Sequence, residues 1–169
     1  MKIFVDTGNL DEIRLAVSRE QIDGVTTNPS LVKIYFEGRG INIENGLREI
    51  FRIVPQDFPV SLEVISNTKD EMLREAYILV EKFPYTNLYV KIPVNPSMDE
   101  SSPVSYDGIE AIRELSRQGI KVNCTLINNP RQAYEAMKAG AKFISVFAGR
   151  IDDLLRKRNG MKFDKKDYF

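Results

Sequence analysis

Six short strand-like runs alternate with helical stretches along most of the chain, and this alternation constrains the fold more than any other feature. Each run is apolar and rich in β-branched residues, and the stretches between them carry helix start and stop signals such as Asn129-Pro130 and Gly140. Parallel strands need crossover connections of this kind, so the pattern predicts a parallel sheet with helices packed on it. The predicted strands are Ile3–Asp6, Gly24–Thr27, Pro59–Val64, Leu88–Ile92, Ile120–Thr125 and Lys142–Phe147.

Two architectures accommodate such a sheet, a doubly wound open sheet and a closed (β/α)8 barrel. A nucleotide-binding open sheet carries a glycine fingerprint after its first strand, but the turn after Asp6 contains neither G-x-G-x-x-G nor a P-loop. Polar residues collect instead at the C-terminal ends of the strands, where barrel enzymes place their chemistry. We therefore predict an α/β fold of the (β/α)8 TIM-barrel type, with about six βα units in this chain.

The 169 residues contain no Gly/Ser-rich linker, which predicts one barrel-type domain over residues 1–169. After Asp153 no seventh strand is visible, so the last two βα units are expected to be absent and residues 154–169 to form a polar tail. A six-stranded sheet of this type would expose two edges, so we expect a truncated sequence, completion by another chain, or a degenerate copy. The long loop over 95–105 is expected to be a surface insertion or a lid.

Composition narrows the chemistry. With 24 basic and 24 acidic residues, no charge imbalance points to nucleic acid or a membrane surface. The chain has no histidine, which excludes Ser-His-Asp and Cys-His catalysis and histidine-ligated zinc, and no metal is predicted.

The single cysteine, Cys124, lies in an apolar run and is expected to be a buried structural thiol. The opening MKIFVD is unlike a signal peptide and no apolar run is long enough to span a bilayer, so a soluble cytoplasmic protein is expected.

Lys91 lies near the C-terminal end of a predicted strand, after Leu88, Tyr89 and Val90, which are apolar or aromatic. Burying an ammonium group is costly unless it is paired or loses its proton. Lys91 therefore either extends its charged end to water or has a function that depends on lowered basicity. The first interpretation is favoured for an isolated lysine, whereas a barrel interior shared with Asp6, Glu63 and Thr125 favours the second.

A desolvated lysine can attack a ketone and form a Schiff base. The iminium withdraws electrons, so a neighbouring C–C bond can break once a base takes a hydroxyl proton. Asp6 would be that base, while Glu63 and Thr125 could position a water molecule for forming and hydrolysing the imine. These residues predict aldol chemistry without a cofactor.

The remaining candidates also have structural interpretations. Asp6 could cap the turn that follows it, and Thr27-Asn28-Pro29 is a good helix start. Phe147 could be a core residue, and Arg150 could be an ordinary solvated one. Glu63 is harder to explain in this way, because an acid in the middle of an apolar strand needs a polar site or a partner.

Several segments resemble the small transaldolases and the similar fructose-6-phosphate aldolases. They are IFVDTGNLDEI (3–13), GVTTNPSL (24–31), VKIP (90–93), NCTLI (123–127) and SVFAGRIDD (145–153). The resemblance covers the chain up to about Asp153, in the order that the family shows.

The resemblance implies a role for individual residues. Lys91 matches the Schiff-base lysine, Asp6 the acid/base aspartate, and Glu63 with Thr125 the pair that holds the catalytic water. Asn28 matches the asparagine that holds substrate hydroxyls. Ser145 and Phe147 match side chains that line the pocket, and Arg150 matches an arginine associated with the substrate phosphate. With the strand-end positions added, the predicted substrate-binding residues are Asn28, Thr27, Asn123, Ser145, Phe147 and Arg150.

The two subfamilies differ at informative positions. The aldolases resemble this chain but have glutamine in place of Glu63 and tyrosine in place of Phe147, so the transaldolase reaction is favoured. The resemblance then implies conversion of sedoheptulose 7-phosphate and glyceraldehyde 3-phosphate to erythrose 4-phosphate and fructose 6-phosphate, in the pentose phosphate pathway. Phosphorylated sugars would be the partners, and a homo-oligomer is allowed. The alternatives are a fructose-6-phosphate aldolase, a truncated inactive barrel-derived sugar-phosphate binder, and an open-sheet module that binds a small ligand.

Overall fold

A computed structural model of the protein describes residues 2–95 and 105–161, apart from the side chains of Arg150 and Leu154. Most of the long loop predicted over 95–105 and the end of the predicted tail lie outside these residues. The strands are β1 (Phe4–Asp6), β2 (Gly24–Thr26), β3 (Val60–Glu63), β4 (Leu88–Pro93), β5 (Val122–Ile127) and β6 (Phe143–Val146). The helices are α1 (Leu10–Ser18), α2 (Pro29–Glu37), α3 (Ile43–Ile53), α4 (Lys69–Lys82), α5 (Asp107–Arg117), α6 (Pro130–Ala139) and α7 (Ala148–Arg158).

The six strands form one parallel sheet in the order β1-β2-β3-β4-β5-β6. The sheet is curled. Its two ends come together, since the rings of Phe4 on β1 and Phe143 on β6 meet edge to face with their centroids 5.3 Å apart. Within the described residues β1 and β6 do not pair with each other. The predicted α/β fold of the TIM-barrel type is confirmed as a curled half-barrel with alternating helices.

The strand boundaries agree with the sequence pattern to within two residues. The largest difference is at β5, which runs on to Ile127 through an irregular register between Cys124 and Ile127. The segment predicted to be a polar tail begins within α7, which continues to Arg158. An ion pair of 2.8 Å between Asp152 and Arg156, one turn apart, supports that helix.

Side chains alternate between the two faces of the sheet. Val25, Leu62 and Val90 are buried on the face that the helices cover. Cys124 is buried there as a free thiol, and its burial raises its pKa to about 12, which fits the structural role expected of it. Among the described residues, no helix is long and apolar enough to cross a membrane. Because the apolar strand residues occupy the helix-covered face, the polar strand residues lie on the opposite, concave face.

An aromatic layer closes the N-terminal end of this concave face. Tyr89 packs on Phe143 with ring centroids 4.5 Å apart, and Phe143 also contacts Phe4. Gly24 makes room for this layer, since a β-carbon at that position would lie 2.4 Å from the ring of Phe4. The polar residues that follow on the same face of these strands are therefore packed against aromatic side chains on their N-terminal side.

Candidate active site

Lys91 does not extend to solvent. Its side chain is buried on β4, with the residue only 4% exposed. The Nζ atom lies 3.2 Å from Glu63 Oε2 and donates a hydrogen bond of 3.2 Å to the carbonyl oxygen of Thr27. The strand register places Glu63 on one side of Lys91 and Asn123 on the other. A lysine held in this way is fixed in position and shielded from water, as a nucleophilic amine requires.

Glu63 is the carboxylate partner of this lysine. Burial raises the pKa of Glu63 above its ordinary value of 4.5, and the negative charge of Asp6 acts in the same direction. The positive charge of Lys91 and its hydrogen bond oppose this effect but do not cancel it. Glu63 therefore keeps its proton to higher pH than an exposed glutamate, which suits a group that exchanges protons with a nearby amine or water.

This raised pKa predicts how Glu63 affects folding. The folded protein binds the Glu63 proton more tightly than the unfolded chain does, so its contribution to the free energy of unfolding is greatest below pH 4.5 and falls as pH rises through the folded-state pKa. Glu63→Gln removes this titration. Urea unfolding of both proteins from pH 4 to 7 should show the wild type losing stability relative to Glu63→Gln as pH increases. A constant difference, or one of opposite slope, would contradict the prediction.

Asp6 lies at the end of β1 and is exposed, where it lines the same cavity as Lys91. Its Oδ1 atom accepts a hydrogen bond of 2.8 Å from Thr26 Oγ1. The following turn is organised by Thr7, whose hydroxyl accepts from Asn9 N–H and donates to Glu12. The turn-capping interpretation of Asp6 is therefore not what the structure shows, and the carboxylate faces the cavity instead.

A chain of side-chain hydrogen bonds crosses the concave face. Ser145 Oγ donates to Asn123 Oδ1 at 2.8 Å, and Asn123 Nδ2 donates to Ser61 Oγ at 3.1 Å. Asn123 and Ser61 are both buried, so these bonds fix the amide orientation. Ser61 was missed by sequence reasoning. The available signal was a polar residue two positions before Glu63, on the same face of the strand.

Thr125 is fully buried on β5, and its Oγ1 has no hydrogen-bond partner among the described residues. The next residue, Leu126, has a positive φ of 59°, an unusual backbone conformation for a bulky side chain. It lies within the irregular register of β5, directly after Thr125 of the cavity lining. Burying an unpaired hydroxyl costs about 1–3 kcal/mol. An unpaired buried hydroxyl next to a strained backbone residue is typical of a binding site.

These groups converge on a cavity of about 340 Å³ at the C-terminal ends of the strands. The structure brings together six of the predicted site residues as its lining: Asp6, Lys91, Asn123, Thr125, Ser145 and Phe147. Glu63 joins this group through its contact with Lys91. The arrangement combines a buried amine, two carboxylates and several hydroxyl and amide groups in one place.

Besides Glu63, two further predicted residues, Asn28 and Thr27, lie outside this lining. Asn28 caps α2, its Oδ1 accepting from the N–H of Leu31 at 2.9 Å, because Asn28-Pro29 is also a strong helix start. Thr27 turns its hydroxyl to the Ser61 carbonyl at 3.0 Å and reaches the site only through its own carbonyl. Arg150 belongs to α7, and its side chain lies outside what the structure describes.

The fold and the cavity define a TIM-barrel-type protein with a lysine-centred site at the C-terminal ends of its strands. Comparison with solved structures agrees on the fold. An aldolase titled "QR15, an Aldolase" superposes with a TM-score of 0.56 at 18% identity, covering 96% of this chain and 76% of that one. A 2,3-dimethylmalate lyase superposes with a TM-score of 0.57 at 16% identity, covering 92% of this chain and 62% of that one.

The chain belongs to the transaldolase/fructose-6-phosphate aldolase family, whose model matches residues 3–168. It is 40% identical to a "Probable transaldolase" of Geobacter sulfurreducens over its full length and 71% of that protein. It is 43% identical to one of Thermodesulfovibrio yellowstonii, covering 91% of this chain and 64% of the relative. It is 45% identical to a "Probable transaldolase" of Desulfatibacillum aliphaticivorans, again covering 91% of this chain and 64% of the relative. The chain thus spans about two thirds of the length of these relatives.

Proposed function

We propose that this chain carries the Schiff-base chemistry of a transaldolase, transferring a dihydroxyacetone unit between phosphorylated sugars. The single observation that supports this most strongly is the buried Lys91, held against Glu63 and facing a cavity that Asp6 also lines. Membership of the family and the names of its relatives point in the same direction.

The reaction begins when Lys91 passes a proton to Glu63 and the resulting neutral amine attacks the ketone of the donor sugar. Loss of water gives an iminium, and Glu63 and Thr125 would hold this water and exchange its protons. Asp6 then takes the proton of the hydroxyl on the fourth carbon. The bond between the third and fourth carbons breaks, its electrons pass to the iminium to give an enamine, and the shortened aldose leaves.

The enamine remains on Lys91 until an acceptor aldehyde arrives. Its carbon attacks the aldehyde, the new alkoxide recovers a proton from Asp6, and water hydrolyses the iminium to free the product and Lys91. The iminium formed from substrate and lysine accepts the electrons of the broken bond, so this step needs no separate electron acceptor. Ser145 and Asn123 would hold sugar hydroxyls through their polar atoms at the cavity wall.

The proposed donor and acceptor are sedoheptulose 7-phosphate and glyceraldehyde 3-phosphate, which give erythrose 4-phosphate and fructose 6-phosphate. Arg150 lies in the first turn of α7, where no acidic residue is present. Helix N-termini attract anions, so this position is suited to a substrate phosphate.

The product of a reaction with fructose 6-phosphate and erythrose 4-phosphate distinguishes this function from its alternatives. A transaldolase yields sedoheptulose 7-phosphate with little free dihydroxyacetone, and the double variant Glu63→Gln with Phe147→Tyr should release more free dihydroxyacetone. Mass spectrometry of the products measures both. Free dihydroxyacetone as the main product of the wild type would indicate a fructose-6-phosphate aldolase. Sugar-phosphate binding without any product would indicate an inactive binder.

A further inference from the structure

Thr26 is a polar residue of the cavity to which the reaction above gives no role. It is the last residue of β2, lies directly opposite Asp6 in the strand register, and lines the same cavity. Its hydroxyl donates to Asp6 Oδ1 at 2.8 Å. In the part of the chain that the structure describes, Thr26 provides the only side-chain hydrogen bond to the Asp6 carboxylate.

The backbone holds Thr26 firmly beside Asp6. The N–H of Thr7 donates to the Thr26 carbonyl at 3.0 Å, and Thr27 N–H donates to the Ser61 carbonyl at 3.1 Å, so the sheet pairs continue on both sides. A β-branched side chain in a strand has a restricted χ1 angle, which gives the Thr26 hydroxyl a defined direction. Asp6, by contrast, is exposed and has no other side-chain contact of this kind in the described residues to select its rotamer.

We infer that Thr26 is a positioning residue that orients the Asp6 carboxylate for C–C bond cleavage. The inference rests on the proposed function. With Oδ1 engaged by Thr26, Oδ2 is left to accept the proton from the hydroxyl on the fourth carbon of the donor sugar. A hydrogen bond from a hydroxyl to an ionised carboxylate is short and directional, so it limits the geometry of proton transfer.

Two steps of the proposed reaction share Lys91. Iminium formation depends on Lys91 and Glu63, whereas the subsequent cleavage depends on the orientation of Asp6. Loss of the Thr26 hydroxyl should therefore leave iminium formation intact and slow the cleavage. Before cleavage the lysine carries the whole six-carbon donor, and after it only a three-carbon enamine. Borohydride reduction of the six-carbon iminium, or of the three-carbon enamine once reprotonated, gives adducts of different mass.

Thr26→Val removes the hydroxyl while keeping the size and branching of the side chain. Quenching with borohydride soon after mixing with fructose 6-phosphate should show a higher ratio of six-carbon to three-carbon adduct on Lys91 than in the wild type. The value of kcat/KM for transfer should fall by about tenfold to a hundredfold. Thr26→Ser, which keeps the donor, should recover most of both quantities.

Thr68→Val is a matched control. Thr68 Oγ1 makes the same kind of bond, to Glu71 Oε2 at 2.8 Å, at the start of α4 and outside the cavity lining. This variant should resemble the wild type in both measurements. A Thr26→Val protein with the wild-type adduct ratio and kcat/KM would overturn the role of Thr26, and so would a Thr26→Ser protein as impaired as Thr26→Val. A wild type that forms no adduct at all would instead overturn the proposed function.

Discussion

Replacing Lys91 with methionine is expected to abolish covalent adduct formation and to lower kcat/KM for dihydroxyacetone transfer by more than about a thousandfold. The reason is that each step of the proposed mechanism passes through a bond to Nζ, and no other described lysine lines the cavity. Methionine preserves the apolar stem and approximate length of the side chain. The variant should fold, although Glu63 loses the positive charge that now opposes the rise of its pKa.

The control for Lys91→Met is Lys142→Met. Lys142 is exposed and lies immediately before β6, at the opposite end of the strands from the cavity. Intact-mass measurement after reduction with fructose 6-phosphate, together with a coupled assay of transfer, should show Lys142→Met unchanged. An adduct that persists in Lys91→Met would show that the chemistry uses another amine.

Asp6→Asn should separate imine formation from bond cleavage. An amide cannot take the hydroxyl proton, so the rate of transfer is expected to fall by about 10² to 10⁴. Lys91 should keep its contacts with Glu63 and Thr27, although loss of the Asp6 charge removes one cause of the raised Glu63 pKa, so the six-carbon adduct should still form and accumulate. Peptide mapping of the reduced protein identifies both the site and the size of the adduct.

Asp23→Asn provides the comparison for Asp6→Asn. Asp23 precedes β2 at its N-terminal end, where its carboxylate accepts a hydrogen bond of 2.7 Å from Ile3 N–H. This change tests loss of a carboxylate near the same two strands but far from the cavity, and it should leave the adduct ratio unchanged. If Asp6→Asn transferred dihydroxyacetone at the wild-type rate, another base would have to carry the cleavage.

The sequence predicts most of the fold because its signals are local. The β-branched runs and helix caps set each strand and helix within a few residues, and parallel crossovers follow from their alternation. The extension of β5 through Leu126 is different. Its positive φ has no signal in a Leu-Ile dipeptide, since strain of this type depends on the surrounding structure.

The sequence predicts those site residues whose charge is at odds with the apolar, buried strand around them. Lys91 and Glu63 are charged residues in largely apolar strands, so each requires a partner, and the structure makes them partners. Asn28 shows the limit, because a helix cap and a ligand for a hydroxyl have the same sequence pattern. The bonds of Ser61 to Asn123 and of Thr26 to Asp6 depend on the positions of neighbouring strands, which a single sequence does not contain.

Borohydride trapping of the wild-type protein with fructose 6-phosphate is the decisive test of Lys91 as the Schiff-base lysine. Intact mass and peptide mapping should find one reduced three-carbon unit, on Lys91, in the presence of the sugar and none in its absence. Circular dichroism of the same sample establishes that the protein is folded. A folded protein without an adduct, or with the adduct on Lys121 or Lys142 instead, would contradict the assignment of Lys91 as the Schiff-base lysine.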